Sequence, residues 1–269
     1  MPKTNAYPKI DRELRFFPAI KNGLKKLVAH EIQQFNDKGF VCPLDVFSPS
    51  ETNSNRKTFD LLMAEATTKG GDSYSINGWH STHPAVYDIV TDERIVDYVQ
   101  DVIGENVICW GTHYFCKMPN DGKRVSWHQD ASYWPLTPSK TVTVWLAIDD
   151  ADAENGAMQV VPGSHLHGQI DYEISKKKEE NVLNQTALNP LEYGESPTLL
   201  EMHAGQMSLH TDLLLHGSEP NRSHRRRCGL TIRYVPAEVR ALNGWNENAI
   251  VCRGSDPNRH WKHWPRPKD

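Results

Sequence analysis

The stretch Thr141-Val-Thr-Val-Trp-Leu-Ala-Ile148 places Val142, Val144, Leu146 and Ile148 on one face and Thr141, Thr143, Trp145 and Ala147 on the other. A period of two is that of a β-strand, whose successive side chains point to opposite sides of a sheet. Residues 152–156 then read as a turn, 157–161 as a second strand ended by Pro162-Gly163, and 206–215 and 229–235 as further strands. Short strands separated by turns, beginning near Val107, predict a β-barrel or jelly roll. Residues 170–195 lie between strands and are polar, with the run Lys176-Lys177-Lys178-Glu179-Glu180. They read as a surface loop or lid, in its simplest form a solvated insertion.

Before residue 105 the spacing is helical. Leu27, Ile32 and Phe35 share one face of a helix over 27–38 that stops at Gly39. Ser48-Pro49-Ser50-Glu51 has the form of a capping box with proline in the first turn, and predicts a second helix to about Lys69, broken by Gly70-Gly71. A third helical stretch runs over 84–103, with an interruption near Thr91-Asp92.

The 269 residues carry 30 Lys+Arg against 34 Asp+Glu, a net charge of −4, and 38% hydrophobic residues. With a pI of about 6.3 and a mean hydropathy of −0.62, the chain has no general attraction for phosphate backbones or anionic lipid, so neither nucleic acid nor membrane is an expected partner. No apolar run approaches the roughly 20 residues that span a bilayer, and the start is too polar for a signal peptide, so a cytoplasmic location is expected. Five cysteines scattered without CxxC spacing fit reduced core thiols better than disulfides or a thiolate metal site. The 13 histidines invite a search for a metal site.

Trp127-His128-Gln129-Asp130 is the sharpest candidate. Residues i and i+2 of a strand share a face, so His128 and Asp130 can aim an imidazole and a carboxylate at one point. A histidine from a neighbouring strand would complete a 2-His-1-carboxylate triad, which leaves open positions on iron for cosubstrate and oxygen. His216, in Leu213-Leu-Leu-His216, is the candidate. His210-Thr211-Asp212 is a second HxD, however, and if 206–216 is one unbroken strand then His210 and His216 share a face, so parity does not choose between them. Arg227, eleven residues after His216, offers a guanidinium fork that matches the carboxylate of a chelating 2-oxo acid. On their own, Arg225, Arg226 and Arg227 read equally as solvated loop charges.

Taken together, Val125-Ser-Trp-His128-Gln-Asp130, Trp145-Leu-Ala-Ile-Asp-Asp150, Asn155-Gly-Ala-Met-Gln-Val-Val-Pro-Gly-Ser-His165, Leu215-His216-Gly-Ser218-Glu-Pro-Asn221 and Arg227-Cys-Gly-Leu-Thr-Ile-Arg233-Tyr234 resemble, in order and spacing, the phytanoyl-CoA dioxygenase family of Fe(II)/2-oxoglutarate oxygenases. The resemblance covers roughly residues 40–256. It implies a double-stranded β-helix, a jelly roll with N-terminal helices packed outside, in one domain over 1–269: a mostly helical part over 1–105, a jelly-roll core over 106–240 and a tail over 241–269 near the pocket. It assigns Fe(II) to His128, Asp130 and His216 and the 2-oxoglutarate carboxylate to Arg227, with Ser218 and Thr143 as further cosubstrate candidates. His210 then lines the pocket. The implied reaction couples O₂ reduction to decarboxylation of 2-oxoglutarate, giving succinate and CO₂, and hydroxylates a substrate C–H bond. Asp130 favours hydroxylation, because halogenating relatives lack that carboxylate.

Substrate residues in such folds lie on the N-terminal loops and the chain's end. Here these give Asn77, His80, Lys117, Tyr133, Trp134, His210 and Arg253, a set too polar for a long acyl chain and suited to a small anionic or zwitterionic metabolite. The stretches Ile76-Asn-Gly-Trp-His80 and His128-Gln-Asp-Ala-Ser-Tyr-Trp134 look most similar to bacterial oxygenases that hydroxylate 2-aminoethylphosphonate beside phosphorus. Hydroxylation of another zwitterion or carboxylate is the alternative. Two other classes stay open: a jelly-roll metabolite-binding protein with a vestigial metal site, and a cupin-like isomerase or hydrolase using zinc or manganese.

Overall fold

The computed structural model describes residue 7 and residues 9–176 and 180–269. Four α-helices precede most of the strands: α1 (Ala29–Lys38), α2 (Pro49–Thr68), α3 (Pro84–Val90) and α4 (Glu93–Ile103). Ser48 caps α2 as its spacing predicts, the Glu51 carboxylate accepting from the Ser48 N–H at 2.8 Å. The stretch expected as one helix over 84–103 is two, because the Asp92 carboxylate accepts from the Arg94 N–H at 2.9 Å and starts α4 afresh.

Strand β1 (Phe40–Asp45) lies within the segment expected to be helical and corrects that reading. Its Pro43 concealed it, yet it is the edge strand of a sheet, where a missing N–H is tolerated. In chain order there follow β2 (Val107–Lys117), β3 (Val125–His128), β4 (Leu136–Thr137), β5 (Val142–Ala147), β6 (Met158–Val160), β7 (Tyr172–Ile174) and β8 (Gln185–Ala187). The remaining strands are β9 (Thr198–Leu199), β10 (Gln206–Thr211), β11 (His216–Ser218), β12 (Arg227–Pro236), β13 (Arg240–Ala241) and β14 (Ile250–Arg253). They form a six-stranded sheet in the order β1-β10-β5-β12-β2-β14 and a four-stranded sheet β3-β11-β6-β9, both antiparallel. The two face one another as a jelly roll.

The period-two pattern of 141–148 finds its physical cause here. Val142, Val144, Leu146 and Ile148 pack into one core with Ile32, Phe35 and Phe59 of the helices and with Ile95, Val96 and Val99 of α4. Trp145 and Ala147 turn the other way, into the space between the sheets, where they meet Phe40, Met158, Val160 and Leu214. The larger sheet is therefore covered on both faces, one apolar and packed by helices, the other facing the smaller sheet and carrying polar side chains such as Thr143, His210 and Arg227 beside Trp145 and Ala147.

Two departures from regular pairing shape what lies between the sheets. The strand expected over 206–215 ends at Thr211; the chain turns through 212–215 and enters the other sheet at His216, so His210 and His216 belong to different strands in different sheets. On β12, Arg233 pairs with Gly111 and Tyr234 with Cys109, which makes Trp110 the extra residue of a bulge. The segment 170–195 lies at the surface, as expected, but its described residues are not without structure. It folds into the β7–β8 hairpin, and Asn181 Oδ1 accepts from the Ser126 N–H at 2.9 Å on β3. Residues 177–179 of its charged run lie outside the described residues. Among the described residues no helix is long and apolar enough to cross a membrane.

Gly229 is required by its neighbour. A Cβ at that position would lie 2.0 Å from Cζ2 of Trp145, so only glycine leaves room for the indole against β12. Gly229→Ala is expected to cost about 1–3 kcal/mol by overpacking. Thermal unfolding should show this as a fall in Tm of several degrees, and an unchanged Tm would mean that Trp145 repacks freely.

Candidate metal centre

His128 closes β3 and His216 opens β11, and the two are direct cross-strand partners with ring centres 4.1 Å apart. Asp130 lies just beyond β3, at the start of a short 3-10 turn over Asp130–Ser132. Gln129 between them keeps an extended backbone (φ −109°, ψ 132°), so the i, i+2 relation expected of a strand persists past the strand's end. One ligand atom from each of His128, Asp130 and His216 lies within 4.8 Å of the other two. His128 Nε2 is 3.7 Å and His216 Nε2 3.9 Å from the same oxygen, Asp130 Oδ1.

Which imidazole nitrogen faces the centre is fixed by the backbone. His128 Nδ1 is 2.8 Å from the Ser126 carbonyl oxygen, and His216 Nδ1 is 3.0 Å from that of Leu214. A carbonyl only accepts, so each Nδ1 carries the hydrogen and each Nε2 presents a lone pair. Thr143 Oγ1 donates to Asp130 Oδ2 at 3.2 Å, leaving Oδ1 for a cation. Burial and the neighbouring histidine push the His216 pKa well below its usual value, so the ring is neutral and can ligate. The residues thus fit a divalent transition metal with a facial N₂O donor set, and a carboxylate among them suits iron.

His210 stands beside this group but is not equivalent to His216. Its Nε2 is 3.8 Å from Asp130 Oδ2, the other oxygen, and neither of its nitrogens has a hydrogen-bond partner. It is a wall of the cavity that runs inward from the centre between Trp145, Ser218 and Arg227. Arg227 is buried at the end of that cavity. Its Nη2 donates to the Gly156 carbonyl at 2.7 Å and to Ser218 Oγ at 3.3 Å, its carbon lies 5.4 Å from the Trp145 ring centre, and its Nε has no protein partner. Arg225 and Arg226, by contrast, are spent on Asp152, Glu154, Asp60 and Asp149. Of the three consecutive arginines only Arg227 enters the cavity.

A second cavity of about 420 Å³ opens from the same centre and is bordered by Asn77, His80, Tyr133, Trp134 and Trp245, among others. Four of the expected substrate residues therefore meet there. Three expectations fail. Arg253 is paired with Asp97 and Gln100 and borders neither cavity. Lys117 is buried with its ammonium given to the backbone carbonyls of Lys123, Ser218 and Glu219, where it braces the end of β11. Thr143, taken as a cosubstrate contact, braces Asp130 instead. Sequence reasoning passed over Trp110, Trp145, Trp245 and Arg233 as site residues; for Arg233 the available signal was its even spacing from Arg227 on one strand face.

The sequence matches the phytanoyl-CoA dioxygenase (PhyH) family over residues 35–229. The chain belongs to that family. Among its PhyH relatives is a protein of Stutzerimonas stutzeri named as a probable alpha-ketoglutarate-dependent hypophosphite dioxygenase, 34% identical over 175 residues that make up 61% of this chain and 58% of the relative. The peroxisomal phytanoyl-CoA dioxygenase of Rattus norvegicus is 29% identical over 56% of this chain and 46% of its own. The chain thus matches about half of the length of these curated relatives. Among solved structures, the non-heme monooxygenase ThoJ superposes with a TM-score of 0.75 at 25% identity over 88% of both chains. EctD from S. alaskensis, with bound Fe, does so at 0.71 and 18% over 87% of both, a likeness of fold. The jelly roll expected from the short strands separated by turns, and implied by the family resemblance, is thereby borne out.

His80 and His113 beside the outer cavity have pKa values pushed down by burial to about 4. A histidine neutral in the fold and charged when unfolded stabilises the protein above pH 6.5, and that contribution is lost as pH falls through about 4. Each should cost about 1.4 kcal/mol of stability per pH unit below 6.5. Urea unfolding at pH 7, 6 and 5 should show this slope, reduced by one histidine's share in His80→Gln; an identical slope in the variant would contradict the assignment.

Proposed function

We propose that this chain is an Fe(II)/2-oxoglutarate dioxygenase, folded as one catalytic domain, that hydroxylates a C–H bond of a small polar metabolite, with 2-aminoethylphosphonate attacked beside phosphorus as the leading substrate. The observation that carries this reading is the pair of histidine Nε2 lone pairs converging with Asp130 Oδ1 at the junction of two cavities, one of which ends on Arg227.

His128, Asp130 and His216 would hold the iron, and 2-oxoglutarate would enter the inner cavity. Bound together, Fe(II) and 2-oxoglutarate supply the reduction of O₂ and the oxidising equivalent for hydroxylation, with succinate and CO₂ as co-products. The chain's own residues do the positioning. Arg227 offers a charged fork for the far carboxylate of the oxo acid, Ser218 orients that fork, and the Trp145 ring shields it from water. Asp130 occupies a ligand position, which favours hydroxylation. The outer cavity places substrate beside the same centre, which is the geometric requirement for a productive oxidant. The hypophosphite relative supports a phosphorus compound as substrate, and the polar, aromatic walls support a small one.

Succinate release should be measured with Fe(II), O₂ and 2-oxoglutarate across a panel of 2-aminoethylphosphonate, hypophosphite, small amino acids and an acyl-CoA. Substrate-dependent succinate and a product one oxygen heavier are expected with 2-aminoethylphosphonate; the same signal with the acyl-CoA alone would overturn the substrate reading. His128→Ala, Asp130→Ala and His216→Ala should each abolish turnover with an unchanged circular dichroism spectrum, whereas His210→Ala should retain iron binding. Arg227→Gln should raise the KM for 2-oxoglutarate by about 100-fold, the loss of roughly 2.7 kcal/mol of charge-assisted bonding. A KM within twofold of wild type would remove Arg227 from the cosubstrate site.

A further inference from the structure

Arg233 shares the inward face of β12 with Arg227, Gly229 and Thr231, and it borders both cavities. Its guanidinium carbon lies 5.0 Å from the ring centre of Trp134 and 5.6 Å from that of Trp110, the bulge residue of β2. The two indoles stand edge to face, with centres 4.7 Å apart, and hold the side chain from one side. Asp130, on the same cavity, acts on it only at longer range. Among the described residues no carboxylate oxygen lies within 4.0 Å of Arg233, and its Nε is buried with no hydrogen-bond partner.

Arg233 is half-buried, with only its Nε wholly withdrawn from water and unpartnered, and stacking on indole offsets part of the cost of that lost hydration. This setting also makes the group receptive, because a weakly hydrated planar fork matches a two-oxygen anion. The charges around the outer cavity point the same way. Asp130 and Arg233 are the charged side chains on its wall, His80 and His113 being uncharged at neutral pH, and Asp130 is taken up by the metal in the reading above. What then remains for a substrate is one cation set in an aromatic wall.

Resting on the dioxygenase reading for what Asp130 and Arg227 do, we propose that Arg233 determines substrate specificity by binding a phosphonate, phosphinate or carboxylate group of the substrate against Trp110 and Trp134. Arg227, which borders only the inner cavity, serves 2-oxoglutarate. Holding the anionic end at Arg233 fixes the adjacent carbon near the centre shared by His128 and Asp130, which border the same cavity. The aromatic wall also makes the event observable without turnover, since Trp110, Trp134 and Trp245 all border it.

The test is a tryptophan-fluorescence titration of the protein loaded with Zn(II), which takes up Asp130 without reacting with oxygen, with methylphosphonate, acetate and ethylamine, and separately with 2-oxoglutarate. The wild type is expected to give a saturable change with at least one of the two anions and none with ethylamine. Arg233→Gln should weaken that anion at least tenfold and Arg233→Lys should recover part of it, while both keep the wild-type affinity for 2-oxoglutarate. Arg227→Gln should show the reverse pattern. Unchanged anion binding in Arg233→Gln, a parallel loss of 2-oxoglutarate binding, or no saturation with either anion would each overturn the proposal. Because the titration needs neither iron nor oxygen, anion binding lost in Arg233→Gln alongside a wild type that releases no succinate would count against the dioxygenase reading and leave the anion site standing.

Discussion

Two backbone carbonyls, those of Ser126 and Leu214, decide what this protein can do. Each accepts the Nδ1 hydrogen of a histidine two residues further on, at 2.8 and 3.0 Å, and so turns the opposite nitrogen toward Asp130. A histidine free to rotate or to change tautomer would offer the centre a lone pair only part of the time, whereas these are held in one state before any metal arrives. The pairing of β3 with β11 brings the two fixed rings together. The second HxD of the chain fails on this point, since His210 has no such bond at either nitrogen.

The rest of the architecture divides the space around that centre. Outward-facing Val144, Leu146, Leu230 and Ile232 anchor the larger sheet to the helices, which frees its inner face to carry chemistry. Trp145, seated over Gly229, forms the wall along which Arg227 lies. The bulge at Trp110 does the corresponding work on the other side, bringing an indole beside Arg233. Two arginines on one strand face, six residues apart, thereby border different cavities: Arg227 the inner one, Arg233 both.

Much of this was legible in the residues because it follows from local rules. Strand alternation over 141–148, the capping box at Ser48, and the i, i+2 relation of His128 and Asp130 depend on neighbours along the chain, and each appears in the fold. The features that escaped depend on neighbours in space. β1 was hidden by Pro43, whose missing N–H only an edge strand forgives. The break between Thr211 and His216 has no glycine or proline to announce it, so one strand was expected where the chain changes sheets. Arg253 and Lys117 have the chemistry of substrate contacts, but Asp97 and three carbonyls reach them first. Arg233 was passed over for the opposite reason, since its lack of an acid within 4.0 Å among the described residues is invisible in a sequence.

The most direct test is a crystal structure of the protein grown without oxygen in the presence of Mn(II) and 2-oxoglutarate. Manganese bound by His128 Nε2, Asp130 Oδ1 and His216 Nε2, with the far carboxylate of 2-oxoglutarate on Arg227 and the cavity beside Trp134 still open, is the predicted result. Metal bound through His210 in place of His216, or 2-oxoglutarate seated against Trp110 and Trp134, would contradict the account.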